Sequence, residues 1–347
     1  MVAVNKHGVI LDKTKLGFEN EGVLNPAAIR DGETVHLFYR AVRKGNFSSI
    51  GYCSLQGPLT VKERLDMPVL FPQFDYESHG VEDPRITKID GIYYLTYTAY
   101  DNVNALGALA TSSDLKHFEK QGIIVPQFTY DEFIHLAECK GHINEKYTRF
   151  NDPSRQRSIV DKTVLLWDKN VVFFPRRING KLHFLHRIKP DIQIVAVNEL
   201  QELNKAFWED YFMHLTDNIV LSPKHDHEVS YIGGGCPPIE TKDGWLLIYH
   251  GVYDTTKGYV YTACAALLDL KNPQREIARL PYPLFVPEHA WELKGEVNNV
   301  CFPTGAVLFD DELYIYYGAA DEHIACASVS LSALLSELLL NANKNEK

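Results

Sequence analysis

The 347-residue chain has no run of about 20 apolar residues, which argues against a membrane-spanning helix. Positive charge is not in excess. Lys and Arg number 35 against 45 Asp and Glu, a net charge of −10, so nucleic acid is not an expected partner. Cysteine is sparse, and none of Cys53, Cys139, Cys236, Cys264, Cys301 and Cys326 falls in a C-x-x-C pair. They read as small buried thiols rather than disulfides or metal ligands. The opening residues MVAVNKHGVILDK lack the apolar core of a secretory leader. A cytoplasmic protein is expected, or a periplasmic one if a leader has been removed. No phosphate-binding P-loop, G-x-G-x-x-G or G-x-S-x-G motif is present.

What the chain does have is a signature in five copies. A turn dipeptide precedes an aromatic-rich strand each time. Asp31-Gly32 leads into VHLFYR, Asp90-Gly91 into YYLTYT, Asn179-Gly180 into LHFLHR, Asp243-Gly244 into WLLIYH, and Asp310-Asp311 into LYIYYG. Asp-Gly and Asn-Gly supply the positive φ values that tight hairpins need, and β-branched and aromatic residues favour strands. The spacing suits four-stranded blades with insertions, so an all-β, five-bladed propeller is expected, forming one domain over residues 1–347. A polar insertion near 126–168 interrupts the repeat. The tail SLSALLSELLLNAN has helical periodicity and is expected to pack outside a blade.

Two loops are dense in titratable groups. In HGVEDPR, Glu82 and Asp83 stand before Pro84, which stiffens the backbone, and Arg85 can tune their charge. In HDHEVSYIGGGCPP, His225, Asp226, His227 and Glu228 precede three glycines that allow close backbone approach. The spacing does not fit a metal centre. A general base at Glu228 is the better reading. Arg40, Arg43, Arg187, His250 and Asp321 fall at or near the ends of the repeated hairpins, which suggests one polar rim shared by successive blades.

At these residues the chain resembles glycoside hydrolase family 130, the mannoside phosphorylases and mannosidases. The likeness spans Asn25-Pro26-Ala27, FYRAVR, GVEDPRI, YLTYTAYD, FFPRRINGK, GWLLIYHGV, ALLDL, VCFPTG and YYGAAD. The resemblance implies a five-bladed propeller with a mannose at the base of its funnel. It implies that Asp83 donates the proton, through a hydroxyl of that mannose. Asn25, Arg40, Arg43, Lys181, Arg187, His250 and Asp321 match positions that line the sugar or nucleophile site. Phosphorylases of the family carry an Arg after the YTAYD motif; here Leu106 stands near that place.

That departure favours water over phosphate, because a phosphate dianion needs cationic donors. The expectation is an exo-acting, inverting β-mannosidase on β-1,2-linked mannosides. Its acid would be Asp83 and its base Glu228, with Glu276 and Glu296 as weaker candidates. The alternative is a β-mannoside phosphorylase making mannose 1-phosphate, with Arg85, Lys181, Arg187 or His250 rebuilding the anion site. A third reading is an idle carbohydrate-binding propeller. No cofactor or metal is implied. A mannose-containing oligosaccharide is the expected partner, and a homo-oligomer is left open.

Overall fold

A computed structural model of the protein describes residues 1–150 and 162–345. Its framework follows from the five turns. Asp90 and Gly91 take φ of 49° and 85°, and Asn179 and Gly180 take 51° and 81°, so the chain reverses where these residues tolerate it.

After β1 (Asn5–Leu11) the chain builds five units in succession. The first comprises β2 (Gly22–Asp31), β3 (Thr34–Arg43), β4 (Phe47–Gln56) and β5 (Thr60–Arg64). The second comprises β6 (Gly80–Ile89), β7 (Ile92–Tyr100), β8 (Ala105–Ser112) and β9 (Glu119–Ile123). The parallel pair Ser48–Gly80 joins these two into one eight-stranded sheet. The third unit is β10 (Lys169–Phe173), β11 (Leu182–Arg187), β12 (Ile192–Val197) and β13 (Ile219–Leu221). In the fourth, β14 (Tyr231–Gly234) and β15 (Ile239–Thr241) both pair with β16 (Gly244–Thr255), which continues to β17 (Gly258–Leu268) and β18 (Glu276–Arg279). The fifth has β19 (Cys301–Phe309), β20 (Glu312–Ala319) and β21 (His323–Ser330), and takes β1 as its fourth strand, antiparallel to β21.

Apolar residues from neighbouring units fill five clusters. Phe38 and Ile50 meet Ile86 and Leu95; Leu106 and Leu109 meet Val171 and Phe173. Val172 and Leu185 meet Trp245 and Leu247; Leu246 and Ile248 meet Leu313 and Ile315. The remaining cluster joins the fifth unit to the first, through Tyr316 and Cys326 on one side and Leu37 and Cys53 on the other.

Helices are few. The insertion supplies α1 (Tyr130–Ala137), entered through a Thr129–Glu132 capping box, and α2 (Glu145–Phe150). Residues 151–161 of the expected insertion lie outside the described residues. A helix not expected from the sequence, α3 (Lys205–Met213), stands between β12 and β13 and packs Trp208 and Phe212 against Phe128 and Phe133. The short α4 (Ala290–Leu293) precedes the fifth unit, and α5 (Leu331–Asn345) matches the expected tail helix, burying Leu334 and Leu338. Five cysteines are buried thiols as expected; Cys139, at the end of α1, is exposed instead. Among the described residues no helix is long and apolar enough to cross a membrane.

A polar brace recurs inside the units. Glu19, Glu77, Glu228 and Glu292 are fully buried just ahead of a unit's first strand. Glu19 accepts from Tyr39 at 2.8 Å and pairs with Arg64 at 2.9 Å. Glu77 pairs with Lys120 at 2.5 Å beside Tyr97, whose hydroxyl is pushed up by burial and by the Glu77 charge. Glu228 accepts from Tyr249, pairs with Arg279 at 3.1 Å, and takes the amides of Lys224 and His225. Glu292 accepts from Tyr317 at 2.7 Å and pairs with Lys6 at 2.9 Å. In each case the tyrosine lies on the unit's central hairpin strand and the cation on its outer strand. Ion pairing and hydrogen bonding are what make a buried carboxylate tolerable. Glu228→Gln is therefore expected to lower unfolding free energy by about 1–3 kcal/mol, since Gln keeps one acceptor and Arg279 keeps Glu276, but one set of donors loses its oxygen. Urea unfolding checks it, and a loss below about 0.5 kcal/mol would show that the brace carries no such load.

Candidate active site

Three units bend their first strand at a corresponding place. The register slips between Leu24 and Ala27, between Glu82 and Arg85, and between Lys169 and Val172. Inside each slip one residue is left-handed: Asn25 at φ 49°, Asp83 at 48° and Asn170 at 55°. Asn and Asp tolerate this region better than other side-chain-bearing residues, at a cost of roughly 1–3 kcal/mol. The bulge re-aims their side chains. Asp321, at φ 52°, follows β20.

All four line one cavity of about 270 Å³. Arg40, Lys169, Arg187 and Lys189 line it too, four cations against the carboxylates of Asp83 and Asp321. Trp167, Tyr231, Tyr261 and Phe302 add flat aromatic surface. A second chamber of about 360 Å³ shares Arg40, Val297 and Asp321 with the first and adds Glu21, Asn46 and Glu296.

The carboxylate end is tightly wired. Asn25 Nδ2 donates to Asp83 Oδ1 at 2.7 Å, and Gly318 leaves room for the Asn25 amide, which a Cβ would strike. Arg40 pairs with Glu82 at 2.8 Å and stands 3.6 Å from Asp83, while its Nε donates to Ser48. Burial raises the Asp83 carboxyl, but Arg40, Lys169 and Arg85, with the Asn25 bond, outweigh it and hold Asp83 below the usual range. Burial pushes Asp321 up to about 6; Arg40 opposes this, and the charges of Asp83, Glu82 and Glu296 add to it.

The cationic end is wired differently. Arg187 Nε, Asn170 Nδ2 and both ring nitrogens of His250 are buried without a hydrogen-bond partner among the described residues. Gly233 lies between two of them: a Cβ there would stand 2.6 Å from His250 Nε2 and 2.7 Å from Asn170 Nδ2. His250 is held well below its ordinary pKa, first by burial and then by Arg187, Arg85 and Lys189. Burial, with Arg187 and Arg40 nearby, also lowers Lys169 despite Glu82 and Asp83. Tyr231 and Tyr261 share a 2.5 Å hydroxyl contact, and Lys189 sits 3.9 Å from the Tyr231 ring centroid. Unsatisfied buried donors beside several cations fit an anionic ligand.

The structure thus brings Asn25, Arg40, Asp83, Arg187 and Asp321 to one cavity, with His250 packed on the Phe302 ring at 4.4 Å. Several expected site residues are elsewhere. Glu228 does not reach the cavity, because both of its oxygens are spent in the brace. Glu276 is held by Arg279 and Lys224. Of the three candidate bases only Glu296 borders the cavity system. Arg85 is buried with its donors on the carbonyls of Gly235, Asp83 and Pro84, so it fastens the bulge instead of facing a ligand. Arg43 is exposed and covers the Phe47 ring. Lys181 lines a separate cavity of about 620 Å³ beside α3, where Asn179, Asn218 and Gln274 already donate to backbone carbonyls.

Leu106 is packed in the core and lines neither chamber, so its lack of charge says nothing about the cavity. The sequence reading missed Lys169, Asn170 and Lys189. Asn170 lies in the same kind of bulge as Asn25 and Asp83, but without their Pro, and Lys189 lies just past the third hairpin strand. His227, Glu228 and Cys264 have ligand atoms within 4.8 Å of one another, but Arg279 occupies Glu228 and burial pushes the Cys264 thiol well up, so the trio suits a core rather than a metal.

The chain is similar to known proteins over most of its length. A family profile described as β-1,4-mannooligosaccharide phosphorylase matches residues 18–339. The chain is 35% identical over 335 residues to 1,2-β-oligomannan phosphorylase of Thermoanaerobacter sp. (strain X514), covering 93% of this chain and 95% of that protein. It is 37% identical over 329 residues to β-1,2-mannobiose phosphorylase of the same organism, covering 90% and 91%. Among solved structures, β-1,2-mannobiose phosphorylase from Listeria innocua in complex with β-1,2-mannobiose superposes with a TM-score of 0.72 at 22% identity, covering 97% of this chain and 99% of that one. The chain belongs to glycoside hydrolase family 130 and is a mannoside-active enzyme of that family.

Proposed function

We propose that the protein is a β-mannoside phosphorylase that cleaves β-1,2-linked mannosides with inorganic phosphate and releases mannose 1-phosphate. The observation that carries this reading is the set of unpartnered buried donors on Arg187, Asn170 and His250 beside Lys169 and Lys189. A water nucleophile has no need of such a cluster, whereas a phosphate dianion does. The names of the two Thermoanaerobacter relatives point the same way. The phosphorylase reading, the alternative at the level of sequence, replaces the hydrolase reading as the favoured one, since two of the three candidate bases are tied up in ion pairs away from the cavity.

The fold proposed for this chemistry is a single five-bladed propeller, each unit a blade. It is supported by the five inter-unit clusters, the last of which returns to the first unit. The mannose to be cleaved lies against Asn25, Arg40, Asp83 and Asp321. Phosphate at the Lys169–Arg187 side attacks the anomeric carbon from the face opposite the leaving oxygen, with inversion. Asp83 passes a proton to that oxygen through a mannose hydroxyl. Bound phosphate cancels part of the positive field that keeps Asp83 ionised, so loading of phosphate favours its protonated form. The proton given to the leaving group is restored by the incoming hydrogen phosphate, whose oxygen ends in the new ester.

Product analysis on β-1,2-mannobiose tests the reaction. Mannose 1-phosphate is expected only when phosphate is present; free mannose at a phosphate-independent rate would overturn the reading and make Glu296 the next residue to replace. Asp83→Asn is expected to lower kcat by about 10²–10⁴-fold with the fold intact, the usual span for a lost general acid. Glu228→Gln, by contrast, is expected to leave kcat of the folded fraction within about twofold, because a residue outside the reacting groups changes no protonation step; a drop as deep as that of Asp83→Asn would return Glu228 to the mechanism.

Asp321 accepts sugar hydroxyls best when ionised, so kcat/KM for the mannoside is expected to rise as pH passes about 6, an inflection that Asp321→Asn removes. Stability moves the other way. The folded protein keeps a proton on Asp321 where the unfolded chain has lost it, so Asp321 costs stability increasingly as pH rises from 4 through about 6. Asp321→Asn is expected to unfold at higher denaturant than wild type at pH 7.5; an equal or lower midpoint would contradict the raised value.

A further inference from the structure

The third unit breaks the pattern of the brace. Its outer strand, β13, reads Ile-Val-Leu and carries no cation. Its carboxylate is not a glutamate ahead of the first strand but Asp168, fully buried and immediately before Lys169 and Asn170. The hairpin tyrosine is replaced by His186, fully buried and immediately before Arg187. His186 Nδ1 lies 2.7 Å from Asp168 Oδ2, and its Nε2 lies 2.7 Å from the hydroxyl of Tyr211 on α3. The other oxygen, Asp168 Oδ1, accepts the Arg187 amide at 3.3 Å. The Asp168 backbone is itself fixed to β8: Asp168 N donates to Ala105 O at 3.2 Å, and Gly107 N donates to Asp168 O at 2.8 Å.

We propose that Asp168 is a positioning residue for the anion end of the cavity: it ties the strand carrying Lys169 and Asn170 to the strand carrying Arg187. The inference rests on the phosphorylase reading and names what holds its nucleophile site in shape. The units that keep the full brace pair their carboxylate with a cation. In the third unit the carboxylate binds only a ring and an amide among the described residues, and the neighbouring cations face the cavity. The third unit thus ties its carboxylate to a histidine ring and an amide, and leaves Lys169 and Arg187 to the cavity. Asp168 does not line the cavity, so its effect passes through the placement of its neighbours. Displacing such groups by about 1 Å can cost 10²-fold.

The test compares inorganic phosphate affinity, by calorimetry on the substrate-free enzyme, with the KM for β-1,2-mannobiose at saturating phosphate. Asp168→Ala is expected to weaken phosphate binding by about tenfold or more while leaving the mannobiose KM within about threefold, because the sugar-side residues come from other units. Asp168→Asn keeps an acceptor oxygen and is expected to restore phosphate binding to within about threefold of wild type. Equal losses for both ligands, no loss for phosphate, or an Asp168→Asn variant as weak as Asp168→Ala would each overturn the proposal. If Asp168→Ala does not fold, Tyr211→Phe releases the far side of His186 and is expected to weaken phosphate alone, by about two- to fivefold; unchanged phosphate affinity there would overturn it. Wild-type enzyme that binds no phosphate would sink the phosphorylase reading first, and this inference with it. Wild-type binding with an insensitive Asp168→Ala would sink this inference only.

Discussion

A buried carboxylate is expensive, and this fold uses one repeatedly. Glu19, Glu77, Glu228 and Glu292 each sit with no solvent access, and each is answered by a cation from the outer strand of its own unit. The pairing sets how the outer edge of a sheet lies relative to its central hairpin. Apolar packing between units is non-directional and would accept small rotations of one sheet on the next. The braces do not, because those at Glu19, Glu228 and Glu292 hold a tyrosine and a cation from two strands at hydrogen-bond distance, and that at Glu77 holds Lys120. Where the cavity needs bulges at Asn25, Asp83 and Asn170, the strain of left-handed backbone is held by such fixed surroundings.

The cavity itself is polarised. One end gathers Asp83, Asp321 and the Arg40–Glu82 pair; the other gathers Lys169, Arg187 and Lys189. A neutral sugar spanning the two ends would meet acceptors on one side and a positive field on the other. In the proposed reaction that asymmetry places phosphate at the end away from Asp83. It also explains why titration behaviour differs so much between two aspartates in one cavity. Asp83 lies close to Arg40 and Lys169, whereas Asp321 feels three other carboxylates.

Local chemistry was legible in the sequence, and distant partnership was not. The turns at Asp90-Gly91 and Asn179-Gly180 are written in the two residues that make them, and the strands after them follow from side-chain type. Asp83 stood out because Pro84 and Arg85 are its neighbours in sequence. Glu228 stood out for the same reason and misled, since the groups that occupy it, Tyr249 and Arg279, lie far along the chain. Had Glu19, Glu77 and Glu292 been set beside it, each ahead of a hairpin tyrosine, the repeat would have marked it as framework. Leu106 misled through linear position alone: β8 turns it into the core beside Leu109, so the cations of the cavity come from other strands. Lys169 and Lys189 were invisible because nothing local distinguishes a lysine that faces a cavity from one that faces water.

The pairing of β1 with β21 bears on how the molecule is made. During synthesis β1 emerges long before β21, so it has no sheet neighbour until the fifth unit is made. Until then Asn5–Leu11 is a free β-edge, and the fifth unit lacks the lysine that answers Glu292. Lys6, a charged anchor of β1, meets Glu292 only once the fifth unit has been made. A nascent chain can therefore hold the braces at Glu19, Glu77 and Glu228 before it closes the one at Glu292, which needs β1 and the fifth unit together.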